Sequence, residues 1–183
     1  MIDGEARQLS RSLLAAELPR RWAHSQGVAR QAIAIEQVLG EHVEAVESAA
    51  WLHDIGYATP LVDSGFHPLD GARYLRESRL GDRMLWTLVA HHTCAQIEAD
   101  ERGLGEVLAT EFPIEDAGLS AVAALTYCDM TTGPDGQTVD VEKRIEEILT
   151  RYPSDHVVYR SIARAAPLLR AQVAEVSGLL ARA

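Results

Sequence analysis

Seven histidines occur in the 183 residues, and five of them, His24, His53, His67, His91 and His92, fall at the ends of helical patterns or inside apolar runs. Asp54 and Asp129 fall in the same kind of place, whereas His42 and His156 sit beside charged or polar neighbours and read as surface residues. The sharpest stretch is Ala49-Ala50-Trp51-Leu52-His53-Asp54-Ile55-Gly56-Tyr57, an apolar helical run ending in adjacent imidazole and carboxylate. A buried imidazole beside a buried carboxylate is costly unless each has a partner, and a divalent cation partners both at once. Taken singly, each histidine reads as a hydrogen-bonded core residue and Asp129 as a turn residue. Taken together, four helices each present a His or Asp at an end, and metal binding is the simplest chemistry that calls for all of them. Nitrogen and oxygen ligands without thiolate suit iron, manganese, zinc, nickel or cobalt. Six such ligands are too many for one ion that keeps an open position, and they suit two ions about 3.5–4 Å apart with a carboxylate between them.

The elements that must place these groups are all helical. Leu9, Leu13, Leu14 and Leu18 recur at helical spacing from Glu5 to Glu17, and Pro19 ends that helix or starts the next. A second helix is expected from about Arg20 to Leu39, with Trp22, Val28, Ile33, Ile35 and Val38 buried and Gly40 as its C-cap. A third covers about Val43–Asp54. Pro68 at a first helical position makes His67 the opener of a helix to about Glu77. Another, from about Gly81 to His92, delivers His91-His92 at its end. Short helical pieces are expected over Cys94–Phe112. A helix over Ile114–Met130, with Leu119, Val122, Ala123, Leu125 and Thr126 packed, ends in Tyr127-Cys128-Asp129. Thr131-Thr132-Gly133-Pro134-Asp135-Gly136 is a turn. A charge-rich amphipathic helix spans Asp140–Arg151, and Ser154 or Asp155 caps the last, with a kink expected at Pro167. No strand pattern, repeat or linker interrupts this series, so the expected architecture is one all-α domain over residues 1–183.

Composition narrows the partners. The net charge of −10 argues against duplex nucleic acid, which takes clustered Lys and Arg. A small anionic substrate remains open, because a bound metal inverts the local charge. The two cysteines, Cys94 and Cys128, make no disulfide or zinc pattern and point to the reducing cytosol, with each read as a small buried thiol. Met1-Ile2-Asp3-Gly4-Glu5 has neither the basic nor the apolar region of a signal peptide. No apolar run reaches the roughly 20 residues that span a bilayer. Arg20, Arg21 and Arg73 lie near the candidate ligands in sequence; they read as solvated charges on the general rule, or as partners for a substrate phosphate.

The order His24, His53-Asp54, His67, His91-His92, Asp129 resembles the HD-domain superfamily of metal-dependent phosphohydrolases. The minimal motif of that family maps onto His24, His53, Asp54 and Asp129, and the wording Leu52-His53-Asp54-Ile55-Gly56 is similar to its usual context. Two further histidines mark the binuclear subgroup and map onto His67 and one of His91 or His92, with Thr93 after His92 favouring His92. The resemblance covers roughly residues 20–132, leaving helices from 140 to 183 to pack on that core. Tyr57 stands where the cyclic-dinucleotide phosphodiesterases of the superfamily have Lys, and their glycine-rich signature is absent, so that activity is disfavoured. Asp63 is the nearest acidic residue after the pair, out of the usual register for a general acid.

The resemblance implies two divalent ions, one held by His24, His53 and Asp129, the other by His67 and His91 or His92, with Asp54 as the bridge and the catalytic carboxylate. The implied reaction is hydrolysis of a small phosphorylated substrate, an ester or anhydride, with nucleotides the first candidates. Two other readings compete: a di-iron oxygenase on the same ligand pattern, as in inositol oxygenase, and a non-catalytic nucleotide-sensing module.

Overall fold

The periodicity of the first apolar residues carries straight into structure. In the computed structural model, which describes residues 3–183, α1 (Asp3–Leu14) buries Ala6, Ser10 and Leu14, spaced four residues apart. Met1 and Ile2, where the reading of the N-terminal segment begins, lie outside the described residues. Pro19 opens α2 (Pro19–Ala34), which buries His24, Gly27, Val28 and Ala32. The helix stops at Ile35 and resumes as one turn, α3 (Glu36–Leu39), rather than running unbroken to Leu39. Ile35 is buried but Ile33 is 53% exposed. Residues two apart on a helix point about 200° apart, so one core face cannot take both.

The central element is α4 (Val43–Leu52). Its C-terminal half, Ser48 to Leu52, is buried all round, as a helix enclosed by neighbours must be. It packs against α1, α2, α6 (Arg83–His91) and α9 (Leu119–Met130). Trp51 stacks on Trp22 of α2, ring centroids 5.6 Å apart. After the turn at Ile55–Tyr57 the chain loops to α5 (His67–Glu77), which pairs with α6. Asp82 caps α6 by accepting from the Leu85 amide. The segment after His92 folds as α7 (Ala95–Glu101) and α8 (Gly105–Glu111), the short pieces expected there. α9 starts at Leu119, which is 71% exposed rather than packed, because Ile114–Asp116 forms a separate turn.

The last two helices, α10 (Val141–Arg151) and α11 (Val157–Leu180), pack on each other and on α9, and α11 runs on through Pro167. The cap of α11 is His156, whose Nδ1 accepts from the Val158 amide, rather than Ser154 or Asp155. Two apolar clusters result. The larger lies among α1, α2, α4, α5, α6 and α9; the smaller joins Met130 of α9 to Ile145, Ile148, Ile162 and Leu169 of α10 and α11. Among the described residues, β structure is confined to one isolated bridge between Thr132 and Thr138, and no helix is long and apolar enough to cross a membrane.

Candidate metal centre

The C-termini of α4, α6 and α9 converge, and each ends in a polar residue that the fold buries. His53 caps α4 and His92 caps α6. The last carbonyls of a helix lack intrahelical partners. His53 Nδ1 donates to the Ala50 carbonyl at 3.0 Å, and His92 Nδ1 donates to the Val89 carbonyl at 2.8 Å, each three residues back. His24 Nδ1, on α2, donates to the Gly133 carbonyl at 3.0 Å. Because a carbonyl only accepts, each ring carries a proton on Nδ1, and in its neutral form leaves Nε2 with a lone pair.

These lone pairs point inward. Ligand atoms of His24, His53 and Asp129 lie within 4.8 Å of one another, and those of Asp54, His67 and His92 do the same. His24 Nε2 is 2.9 Å from Asp129 Oδ1. Asp54 stands between the groups: Oδ2 is 3.7 Å from His53 Nε2, and Oδ1 is 3.5 Å from His67 Nε2. His67 and His92 face each other, Nε2 to Nε2, at 3.2 Å. His53 Nε2 is buried with no hydrogen-bond partner. A lone pair on a neutral His24 turned on Asp129 repels it and His53 Nε2 is left unpartnered, so the donor set fits cations lying between these atoms. An outer N–H held by a backbone carbonyl is also the usual support of a metal-bound histidine.

The charges are set by the same packing. Burial pushes the His53 pKa down to about 4, against the pull of Asp54 and Asp129, so the ring is neutral at pH 7. Burial likewise takes His67 well below its ordinary value. Burial opposes the Asp54 charge, but Arg21 and the surrounding histidines outweigh it, and its pKa falls below the carboxylate range. Burial opposes the Asp129 charge too, but the surrounding basic groups, His24, His53 and Arg144, outweigh it and hold its pKa well below that range. His53, His67, Asp54 and Asp129 are therefore already in the protonation state that metal binding requires.

Two glycines permit these approaches. A Cβ on Gly56 would stand 2.0 Å from the His67 carbonyl oxygen, so the turn after Asp54 meets the start of α5 only with glycine there. A Cβ on Gly27 would stand 2.6 Å from the Gly136 carbonyl oxygen, so the 131–138 turn reaches α2, and Gly133 reaches His24, for the same reason. Strain is present as well. Thr93 and Cys94, just after His92, have φ of 53° and 58°, a left-handed backbone that costs non-glycine residues energy and clusters at functional sites. This turn lets the Thr93 hydroxyl donate to Asp129 Oδ2.

His24, His53, Asp54, His67, His92 and Asp129 are thus brought together. His91 is not. It stays in the last turn of α6, about 100° round from His92, and its Nε2 donates to the Phe112 carbonyl at 2.7 Å. Arg21 joins the centre: Nη1 donates to Asp54 Oδ2 at 2.9 Å and the guanidinium lies over Tyr57, 3.8 Å from the ring centroid. Tyr57 in turn stacks on His67 at 3.9 Å. Arg73 is turned away, six residues and about 240° round from His67, and pairs with Glu111 and Asp63. Arg20 reaches only the rim, where it pairs with Asp135. Asp63 is exposed.

Sequence reasoning missed three residues. Arg144 lies 3.7 Å from Asp129 Oδ1 and is 6% exposed; its signal is an arginine on the apolar stripe Val141, Ile145, Ile148. Asp70, three residues into α5, is buried and accepts from the amides of Asp63, Ser64 and Gly65, which fixes the loop that introduces His67. Tyr152 lines a cleft together with residues of the ligand cluster and the apolar side chains of Phe66, Ile148, Val158 and Ile162.

A family model described as HD domain matches residues 21–145. The chain is similar to ribonuclease Y of Rubrobacter xylanophilus, 34% identical over 79 residues. The alignment spans 43% of this chain and 15% of the length of that relative. No solved structure matches the chain.

Proposed function

This chain belongs to the HD domain family, a superfamily of metal-dependent phosphohydrolases, and on that premise we propose that it hydrolyses a phosphate ester or anhydride of a small nucleotide-like substrate. The observation that carries the reading is the set of three imidazoles whose Nδ1 protons are committed to backbone carbonyls while their Nε2 atoms face carboxylates and one another. His24, His53 and Asp129 would hold one divalent ion and His67 and His92 a second, with Asp54 between them. Two ions bound there supply a hydroxide nucleophile at neutral pH and neutralise charge that grows on the phosphoryl oxygens.

The chain's own residues supply the rest. Arg21 holds Asp54 Oδ2 and leaves Oδ1 directed at His67. Arg21 and Arg144 set guanidinium groups at the cluster, where they can receive phosphoryl oxygens. Arginines at the cluster favour phosphoryl chemistry over oxygen activation. The apolar and aromatic lining of the cleft, Phe66, Ile148, Tyr152 and Ile162, suits a base or sugar. Ribonuclease Y is named for cleaving RNA; the reaction class carries over, while the net charge of −10 disfavours a polymeric nucleic acid. Residues 1–183 act as one unit in this reading, because α10 and α11 wall the cleft.

Elemental analysis of protein purified without added metal, together with phosphate release from a nucleotide panel, tests the proposal. About two iron, zinc, manganese, nickel or cobalt ions per chain with phosphate release support it. Two irons with oxygen uptake and no phosphate release would replace it with the oxygenase. One ion or none would remove the two-ion scheme.

A further inference from the structure

α10 sets two arginines on the cleft side, seven residues and about 10 Å apart along the helix. Arg144 Nη1 donates to Glu147 Oε2 at 2.7 Å, and Arg151 Nε donates to Glu147 Oε1 at 3.1 Å. One carboxylate between them therefore pins both guanidinium groups. Arg144 is 6% exposed, yet its Nε is buried with no hydrogen-bond partner. From the opposite wall come Arg20 and Arg21, in the first turn of α2. These four arginines, His24 and Pro134 line a groove that opens from the metal-ligand cluster. In a chain of net charge −10 this is a concentrated cationic feature. Its counter-charges are Asp135 on Arg20, Glu147 on Arg144 and Arg151, Asp129 on Arg144, and Asp54 on Arg21. With Asp54 and Asp129 engaged by metal, only Asp135 and Glu147 remain to balance the four, which leaves two positive charges over.

We infer that this groove is a subsite for a second phosphate group, beside the one held at the metal-ligand cluster, and that the substrate is a phosphoanhydride or a doubly phosphorylated small molecule rather than a simple monoester. The inference rests on the phosphohydrolase reading above. Guanidinium forks match phosphate oxygens in pairs, and the groove presents four of them at its lining. Arg20 and Arg151 lie outside the residues 21–145 that the family model matches.

The test is calorimetry on the full, metal-loaded chain with methylenebisphosphonate and with methylphosphonate, neither of which is hydrolysed. The wild type is expected to prefer the bisphosphonate by tenfold or more. Arg151→Gln and Arg20→Gln, both at solvent-reaching positions that leave the core intact, are each expected to cut that preference about tenfold. No preference in the wild type, or a preference unchanged in both variants, overturns the subsite. Metal content and phosphate release from p-nitrophenyl phosphate are measured on the same samples. Two ions with monoester hydrolysis but no bisphosphonate preference removes the subsite alone. The preference without hydrolysis of any ester or anhydride removes the reaction and leaves the subsite standing.

Discussion

The two ligand groups sit side by side and are built to different standards. His24, His53 and Asp129 come from α2, α4 and α9, are buried, and have their outward atoms tied: His24 to Gly133, His53 to Ala50, Asp129 to Thr93. Asp54 and His92 are as buried and are held by Arg21 and the Val89 carbonyl, so the second group differs through His67. The His67 side chain is 16% exposed and lies against Tyr57, on a helix whose start depends on the Asp70 loop. Preorganised donors bind tightly because their ordering cost is met by folding, whereas an exposed donor on a looser support meets part of that cost at binding. The inner group is therefore expected to hold its ion strongly and the outer group to exchange.

The severest way to break this division is to remove the residue that both groups share. Asp54→Ala is expected to lower turnover roughly a thousandfold while the helical circular dichroism persists, as phosphate release and spectra would show. Next comes a pair of variants that separates the groups. His67→Ala should retain about one ion per chain by elemental analysis, and His53→Ala should lose the tightly held one. Equal losses in the two would erase the distinction.

The third test is acid titration of EDTA-treated protein. Burial holds the folded-state pKa of His53 at about 4, below its ordinary 6.5. Between those values the unfolded chain takes a proton that the folded chain refuses, so stability falls as pH drops from about 6.5 to 4, by about 3 kcal/mol from His53 alone. His67 shifts in the same direction. The depressed carboxylates Asp54 and Asp129 act in the same sense but at lower pH, below about 4. Urea midpoints at pH 7 and pH 4.5 measure this, and a flat profile would contradict it. A smaller effect is expected from Gly56→Ala, about 2 kcal/mol in urea unfolding, because its Cβ would meet the backbone before His67 could take its place. The smallest is His42→Ala. His42 lies outside both groups and should leave activity and metal content unchanged; a strong loss there would mean that the histidines are grouped wrongly.

The positions of the candidate ligands were legible because they are local. A His at the end of an apolar run, a His before Pro68 and an Asp at the close of α9 follow from neighbouring residues, and their order carried the family resemblance. The choice between His91 and His92 is different. Both end the same helix, and the left-handed turn at Thr93 and Cys94 sends one ring to the centre while the other remains with Phe112. Arg73 is near the ligands in sequence but on the wrong side of α5. Arg144 is remote in sequence and lies against Asp129.

By itself, the chain's amino-acid order determined an all-helical architecture, an acidic surface and a set of nitrogen and oxygen ligands at helix ends. Periodicity, caps and turn residues act over a few positions, so a linear reading captures them. The tertiary structure alone decided which arginines face the cleft, which histidine turns inward, and that α10 and α11 close one wall. Those outcomes depend on how distant helices cross and how glycines such as Gly27 and Gly56 let backbones meet. Such contacts are summed over many weak interactions between residues far apart in the chain, and no short stretch of sequence contains them.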